Sequence, residues 1–282
     1  MNTKVRTRVR FGPAALCAIL TLGTAGVARA QQDAAKRPWS NSADLSLVVT
    51  GGNSETVNVS LSDQFTYAWP SSELALKGSA LRTQTSQRTL TNVGGEVQVD
   101  EVRSTTAEAY RLEARYRHTI RRGFTWYAGA GWERNRFAGI DDRSSLDAGL
   151  GYRFLGTELQ TLRAEAGASV TAENRVGGDA SSYAGIRVFL GYQRALSPTS
   201  RVSHDLEVLE NLDVVEDWRA ESVTSVTASL TSAFALKMSY TLKYDHRPVV
   251  VTVRDPDGTD PDAFFEFDET DQTVAASLVI NF

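Results

Sequence analysis

The sequence predicts an all-β fold: a single transmembrane antiparallel up-and-down β-barrel of about twelve strands, after a cleaved signal peptide. Three observations carry that expectation. Residues 1–30 have the build of an export signal. Beyond them, apolar and polar residues alternate with a period of two, as in a strand whose two faces meet different surroundings. The gaps between alternating segments are tight and long in turn, as in barrels with short periplasmic turns and longer outer loops.

The export signal comes first. Lys4, Arg6, Arg8 and Arg10 form a positive start, Phe11 to Val27 is mostly apolar, and Ala28-Arg29-Ala30 supplies a small-x-small cleavage site. Pro13 and the small residues favour removal after Ala30 over retention as a membrane anchor. Cys17, the only cysteine, lies inside this segment, and Leu16 before it is too large for a lipoprotein site. The mature chain therefore has no cysteine, which suits an oxidising periplasm and excludes a disulfide framework. Residues 1–30 hold five basic residues and no acid, so 25 basic residues remain against 34 acidic ones, a net of −9. Such a balance argues against a nucleic-acid partner. Residues 31–38 are expected to be a flexible periplasmic lead-in and residues 39–282 the barrel. After Ala30 no apolar run approaches the roughly 20 residues of a membrane helix.

The strands follow in order. Alternating segments occur near residues 43–49, 57–67, 74–82, 110–116, 126–132, 146–154, 162–172, 184–192, 202–208, 222–230, 236–244 and 274–282. Each is about as long as the 9–11 residues a tilted strand needs to cross hydrocarbon. In the last one Val274, Ala276, Leu278, Ile280 and Phe282 share a face opposite Thr273, Ala275, Ser277, Val279 and Asn281. Tight turns are expected at residues 70–72, 121–123, 156–158, 198–199 and 233, and longer polar loops at 84–104, 137–143, 173–181 and 249–270. Asp63 falls on the apolar phase of its segment, which predicts a bulge or phase shift there. A soluble sandwich also alternates, but its polar face would be rich in Lys and Glu throughout. Here that face carries Gly, Ser, Thr and mixed charges, with glycine pairs Gly129/Gly131 and Gly149/Gly151 that suit a curved inner wall. Trp39, Tyr67, Trp69, Tyr116, Phe124, Trp126, Phe154, Tyr192 and Phe234 gather near the expected periplasmic ends, as an interfacial girdle does.

Several fragments carry a family resemblance. They are Thr50-Gly51-Gly52-Asn53-Ser54, the run from Tyr127 to Ile140, Gly149-Leu150-Gly151-Tyr152, Leu162-Arg163-Ala164-Glu165-Ala166-Gly167 and Thr270-Asp271-Gln272-Thr273. In this order and spacing the chain resembles the domain of unknown function 481 family (YdiY-like, salt-induced outer-membrane proteins) over nearly the whole mature chain. Tyr244-Asp245-His246-Arg247-Pro248-Val249 keeps one proline of the family's Tyr-x-x-x-Pro-Pro element, a departure that bears on the last outer loop and not on the fold. The resemblance implies a membrane barrel and no established activity.

Chemistry is weighed residue by residue. The histidines are His118, His204 and His246; only His246, beside Asp245 and with Ser144 or Ser145 in reach of the outer rim, invites a triad, and nothing in the spacing enforces one. No catalytic residue is assigned and the chain is read as non-enzymatic. The acidic stretch Asp255 to Asp262 has glycine at its fourth position and not the sixth, so it is no EF-hand, and it reads as a solvated loop with no metal site assigned. No cofactor is expected. The informative surface is the inward phase, whose candidate lumen-lining residues are Arg111, Glu113, Arg115, Arg117, Glu133, Asp147, Arg153, Arg163, Glu165, Arg187, Asp205, Glu207, Lys237, Lys243 and Asp245. Charges so nearly balanced can pair across strands and leave a narrow, weakly selective bore. The expected function is that of a non-enzymatic outer-membrane barrel, either a narrow passive pore for small solutes or an envelope-stabilising protein under osmotic or salt stress. The alternatives are a barrel enzyme acting on lipid or peptide, and a secreted soluble β-protein. Expected partners are outer-membrane lipid, lipopolysaccharide and the barrel-assembly machinery, which reads a terminal aromatic such as Phe282. Deleting Phe282 should lower the amount of folded, heat-modifiable barrel in the membrane fraction; normal levels on a cold gel would count against the barrel.

Overall fold

The computed structural model describes residues 37–50, 54–93, 96–178, 180–248, 250–253, 263–266 and 268–282. The expected signal peptide and most of the lead-in lie outside these residues, as does the acidic stretch 255–262. Fourteen strands follow in chain order: β1 (Trp39–Thr50), β2 (Ser54–Ala68), β3 (Ser72–Val93), β4 (Glu96–Arg121), β5 (Phe124–Asn135), β6 (Ile140–Gly156), β7 (Gln160–Arg175), β8 (Ala180–Ser197), β9 (Ser200–Asn211), β10 (Trp218–Ser229), β11 (Phe234–Asp245), β12 (Val250–Val253), β13 (Ala263–Glu266) and β14 (Thr270–Asn281). Twelve of them close an antiparallel barrel in which chain neighbours pair throughout, while β12 and β13 form a separate hairpin between β11 and β14. The seam joins β1 to β14, with Ser42 opposite Asn281 and Leu45 opposite Leu278. There the Phe282 N–H donates to the Asn41 carbonyl at 3.0 Å. Closure leaves no open sheet edge in the barrel.

The partition of side chains is inverted relative to a water-soluble protein. Leu146, Leu150, Met238 and Val274 are more than 60 % exposed, whereas Glu165, Arg187 and Glu173 are no more than 4 % exposed. β8 shows the alternation residue by residue: Tyr183, Gly185, Arg187, Phe189 and Gly191 are buried, and Ala184, Ile186, Val188 and Leu190 between them are exposed. Apolar residues outside and charges inside is the arrangement that lipid, not water, stabilises. At the short-turn end the outward rings form a chain of contacts, Tyr67 to Trp69 at 4.5 Å, Trp69 to Tyr116 at 6.4 Å and Tyr116 to Trp126 at 5.3 Å. Phe124, Tyr152 and Phe154 continue it.

Two expectations are corrected. β2 runs through Asp63 with no shift, pairing Ala43↔Asp63 on one side and Asp63↔Gly78 on the other. An unbroken ladder on both edges fixes the pleat, so Asp63 stays on the outward phase, exposed beside two small neighbours. Register shifts occur elsewhere, at Thr83/Gln84 in the middle of β3 and near strand ends at Thr119/Arg121, Glu133/Asn135, Arg153/Leu155 and Ala195/Ser197. The second correction concerns the loops. Most of 84–104 continues the β3–β4 ladder, β6 begins at Ile140, β7 runs to Arg175, and β12 and β13 fall within 249–270. Outside the lipid both faces of a strand meet water, so the period-two signal fades while backbone pairing goes on.

The face assignment is testable at the closing strand. Leu278 lies outward and Ser277, paired with Lys237, inward. Leu278→Arg should cost roughly 2–4 kcal/mol as a charge in the lipid band, and Ser277→Arg much less. Equal losses in urea titrations of the refolded protein in liposomes would refute the assignment.

Candidate functional site: an ion-paired bore

Because β4 to β10 send every second residue inward between their register shifts, they deliver charged side chains into one enclosed space. The turn-side cluster centres on Glu165 of β7. Its carboxylate accepts from Arg117 Nε at 2.6 Å and Arg187 Nη1 at 3.1 Å, with Arg115 Nη1 at 3.7 Å. Arg115 also grips Asp147 with two contacts of 2.9 and 3.3 Å, and Arg187 holds Glu207 at 2.5 Å. Gly129 makes room for this grip: a Cβ there would lie 2.7 Å from the Asp147 carboxylate. The fully buried Tyr127 ring lies under the guanidiniums of Arg115 and Arg187 at 5.2 and 5.4 Å. Phe189 likewise has Arg163 and Arg187 over it, each at 5.2 Å. Stacked guanidiniums of this kind keep their edges for carboxylates.

A second cluster lies toward the long loops. Glu173 receives Arg143 and Arg175 at 2.7 Å each and Arg219 at 3.2 Å. Arg219 also donates to the Tyr183 hydroxyl, and Arg143 reaches Glu133 at 2.7 Å. Between the clusters, Arg111 of β4 contacts Glu113 at 2.6 Å and Glu221 of β10 at 2.5 Å. β4 and β10 are six steps apart in the ring of twelve, so this pair crosses the bore. A cavity of about 300 Å³ opens on its long-loop side, lined by Glu133, Lys243, Asp245 and Asp271 among others; a smaller one of about 70 Å³ adjoins it. On the far wall Lys237 of β11 meets Asp44 of β1 at 2.6 Å.

The structure brings together eleven of the fifteen charges read as inward: Arg111, Glu113, Arg115, Arg117, Glu133, Asp147, Glu165, Arg187, Glu207, Lys237 and Lys243 all stand in ion pairs. The other four form none within 4 Å among the described residues. Arg153 lies along Gly156, Arg163 stacks on Phe189 with its Nε lacking a hydrogen-bond partner, Asp205 lies over Gly191, and Asp245 accepts from the Arg247 N–H at 3.1 Å. Sequence reasoning missed Asp44, Arg143, Glu173, Arg175, Tyr183, Arg219 and Glu221. Arg219 and Glu221 sit just ahead of the segment 222–230 on the phase of Val223 and Ser225, so extending the alternation by three residues finds them.

The histidines are dispersed. His118 Nδ1 lies 2.9 Å from the Ser72 hydroxyl, and His204 Nδ1 the same distance from the Thr224 hydroxyl. His246 bonds the Tyr244 hydroxyl at 2.9 Å and stacks on Trp218. Ser144 is exposed on the outward phase of β6, paired with Trp132 and Ala172. Among the described residues no histidine hydrogen-bonds a carboxylate.

The family model described as "Protein of unknown function, DUF481" matches residues 43–282. The chain belongs to the DUF481 family. No curated protein matches it. Solved structures similar to this DUF481 barrel include an anion-selective porin from Comamonas acidovorans, 8 % identical with a TM-score of 0.39 over 86 % of this chain and 98 % of the porin. The outer membrane channel DcaP of Acinetobacter baumannii is 8 % identical with a TM-score of 0.37, covering 86 % and 95 % of the two chains. The translocator domain of the autotransporter NalP from Neisseria meningitidis is 10 % identical with a TM-score of 0.39, covering 86 % of each.

Glu165 is the shared counter-charge of three guanidiniums, so Glu165→Gln should destabilise the DUF481 barrel by about 3–5 kcal/mol, as removing one partner of a buried pair does. Asp205→Asn, which removes no ion pair within 4 Å, should cost far less. Similar urea midpoints for the two variants in liposomes would show that the pairs do not hold the bore together.

Proposed function

We propose that this chain is a non-enzymatic outer-membrane protein that acts as a narrow passive pore for small solutes. The observation that carries this reading is the Arg111–Glu221 contact across the ring, which narrows the bore, while Gln64, Lys77 and Ser79 on the inward phase beside it remain solvent-exposed. Residence in the outer membrane is supported by the apolar exterior with its ring of aromatics and by the sequence of residues 1–30, which has the build expected of an export signal. Outer-membrane lipid, lipopolysaccharide and the barrel-assembly machinery are the partners this location supplies. Each described histidine is engaged by a neutral hydroxyl, an arrangement that supports a passive role over hydrolysis.

A second reading is favoured by the density of the ion pairs: a bore sealed by them would make the protein an envelope-stabilising barrel. Planar-bilayer recording of the refolded protein separates the two. A pore predicts a small, slightly anion-preferring conductance. Replacing Arg111 and Arg115 together with Ser should enlarge the conductance and move the reversal potential in a salt gradient toward cation preference. Channel events from neither protein would sink the pore and leave the structural role.

A further inference from the structure

The inner surface is divided into two unlike halves. β4 to β10 supply the buried rings and the tightly paired arginines, and Ser169 and Thr171 among them are only 6 % and 4 % exposed. The strands β11, β14, β1, β2 and β3 present mainly small hydroxyl residues on the same phase, such as Ser62, Ser79, Ser239 and Ser277. Arg111 and Glu221 form the partition between the halves. A residue-long strip of hydroxyls leaves more space than arginines and tyrosines do, and it replaces part of the hydration of a passing ion.

Three charges stand in the small-residue half at neighbouring levels. Asp44 is joined to Lys237. Across β2, the row Asp44–Ser62–Ser79 lies next to the row Ser42–Gln64–Lys77. Lys77 is solvent-exposed, on the inward phase of β3, and forms no ion pair within 4 Å among the described residues. The acids around it are engaged elsewhere: its register partner Glu113 by Arg111, Glu73 by Arg117 and Asp44 by Lys237. Arg115, opposite Ala75, is engaged by Asp147. The ammonium of Lys77 is therefore the one inward charge at these levels without an ion pair among the described residues, and the unpaired carboxylates of this half, Asp245 and Asp271, stand at its long-loop rim.

We propose that solutes cross along the β11–β14–β1–β2–β3 side of the bore and that Lys77 sets its preference for small anions; this rests on the pore reading above. A lone ammonium in a hydroxyl-lined passage attracts a small anion without holding it, since it lacks the forked donors of a guanidinium. The paired half serves as packing and carries no solute.

Residues 31–282 hold no cysteine, so single cysteines placed in the barrel report on the path directly. Ser79→Cys and Ser277→Cys should react rapidly with a charged methanethiosulfonate reagent in the refolded protein, and the reaction should block current in a planar bilayer. Ser169→Cys and Thr171→Cys should react slowly and leave the current unchanged. Lys77→Glu should reverse the sign of the reversal potential in a potassium chloride gradient, whereas Arg194→Glu, on the exposed outward phase, should not. Block from Ser169 or Thr171 and none from Ser79 would overturn the assignment of the path, and an unchanged reversal potential in Lys77→Glu would overturn the role of Lys77. Absence of channel events in every variant would refute the pore reading itself; rapid labelling at Ser79 in such a protein would then mark a water-filled cleft that leads nowhere.

Discussion

A strand in a closed barrel has two faces, and when one of them meets lipid the other must take every polar side chain the segment carries. That constraint places Glu165 and Arg187 in an interior where neither can reach bulk water. A lone charge there would be expelled or neutralised, so charges arrive in sets. Arg117, Arg115 and Arg187 converge on Glu165, and Arg143, Arg175 and Arg219 on Glu173. Planar guanidiniums suit the task because each can stack on Tyr127 or Phe189 with its face and bridge two carboxylates with its edge. The core of this protein is electrostatic where a soluble domain's core would be apolar.

The alternation was legible in the sequence because it is local. Ser277 and Leu278 could be sent to opposite faces from their neighbours alone, and so could most inward charges between Arg111 and Lys243. What lay beyond reach was partnership across the ring. Arg111 and Glu221 are 110 residues apart, and their meeting depends on strand number, tilt and register together. Strand ends were the other blind spot. Arg143, Glu173 and Arg175 lie where the chain leaves the apolar band and the contrast between its faces fades, so they resemble loop residues although the ladder still holds them inward.

Function follows from which of these sets is complete. Where acids and guanidiniums match, as around Glu165, the interior is solid and resists change. Where a charge stands unpaired, as at Lys77, the wall is open to water. In the pore reading proposed above, stability and permeation fall to different halves of the same ring, and a substitution in one need not trouble the other.

Asp63 has a consequence of another kind. It stands on the lipid-facing side two residues beyond Phe65, next to the ring of aromatics, with only Ala43 and Gly78 flanking it. A carboxylate tolerates the headgroup layer and not the hydrocarbon beyond it. The barrel therefore has a waterline on its β1–β3 flank. Hydrocarbon drawn past that line would have to cover the Asp63 carboxylate, which is costly.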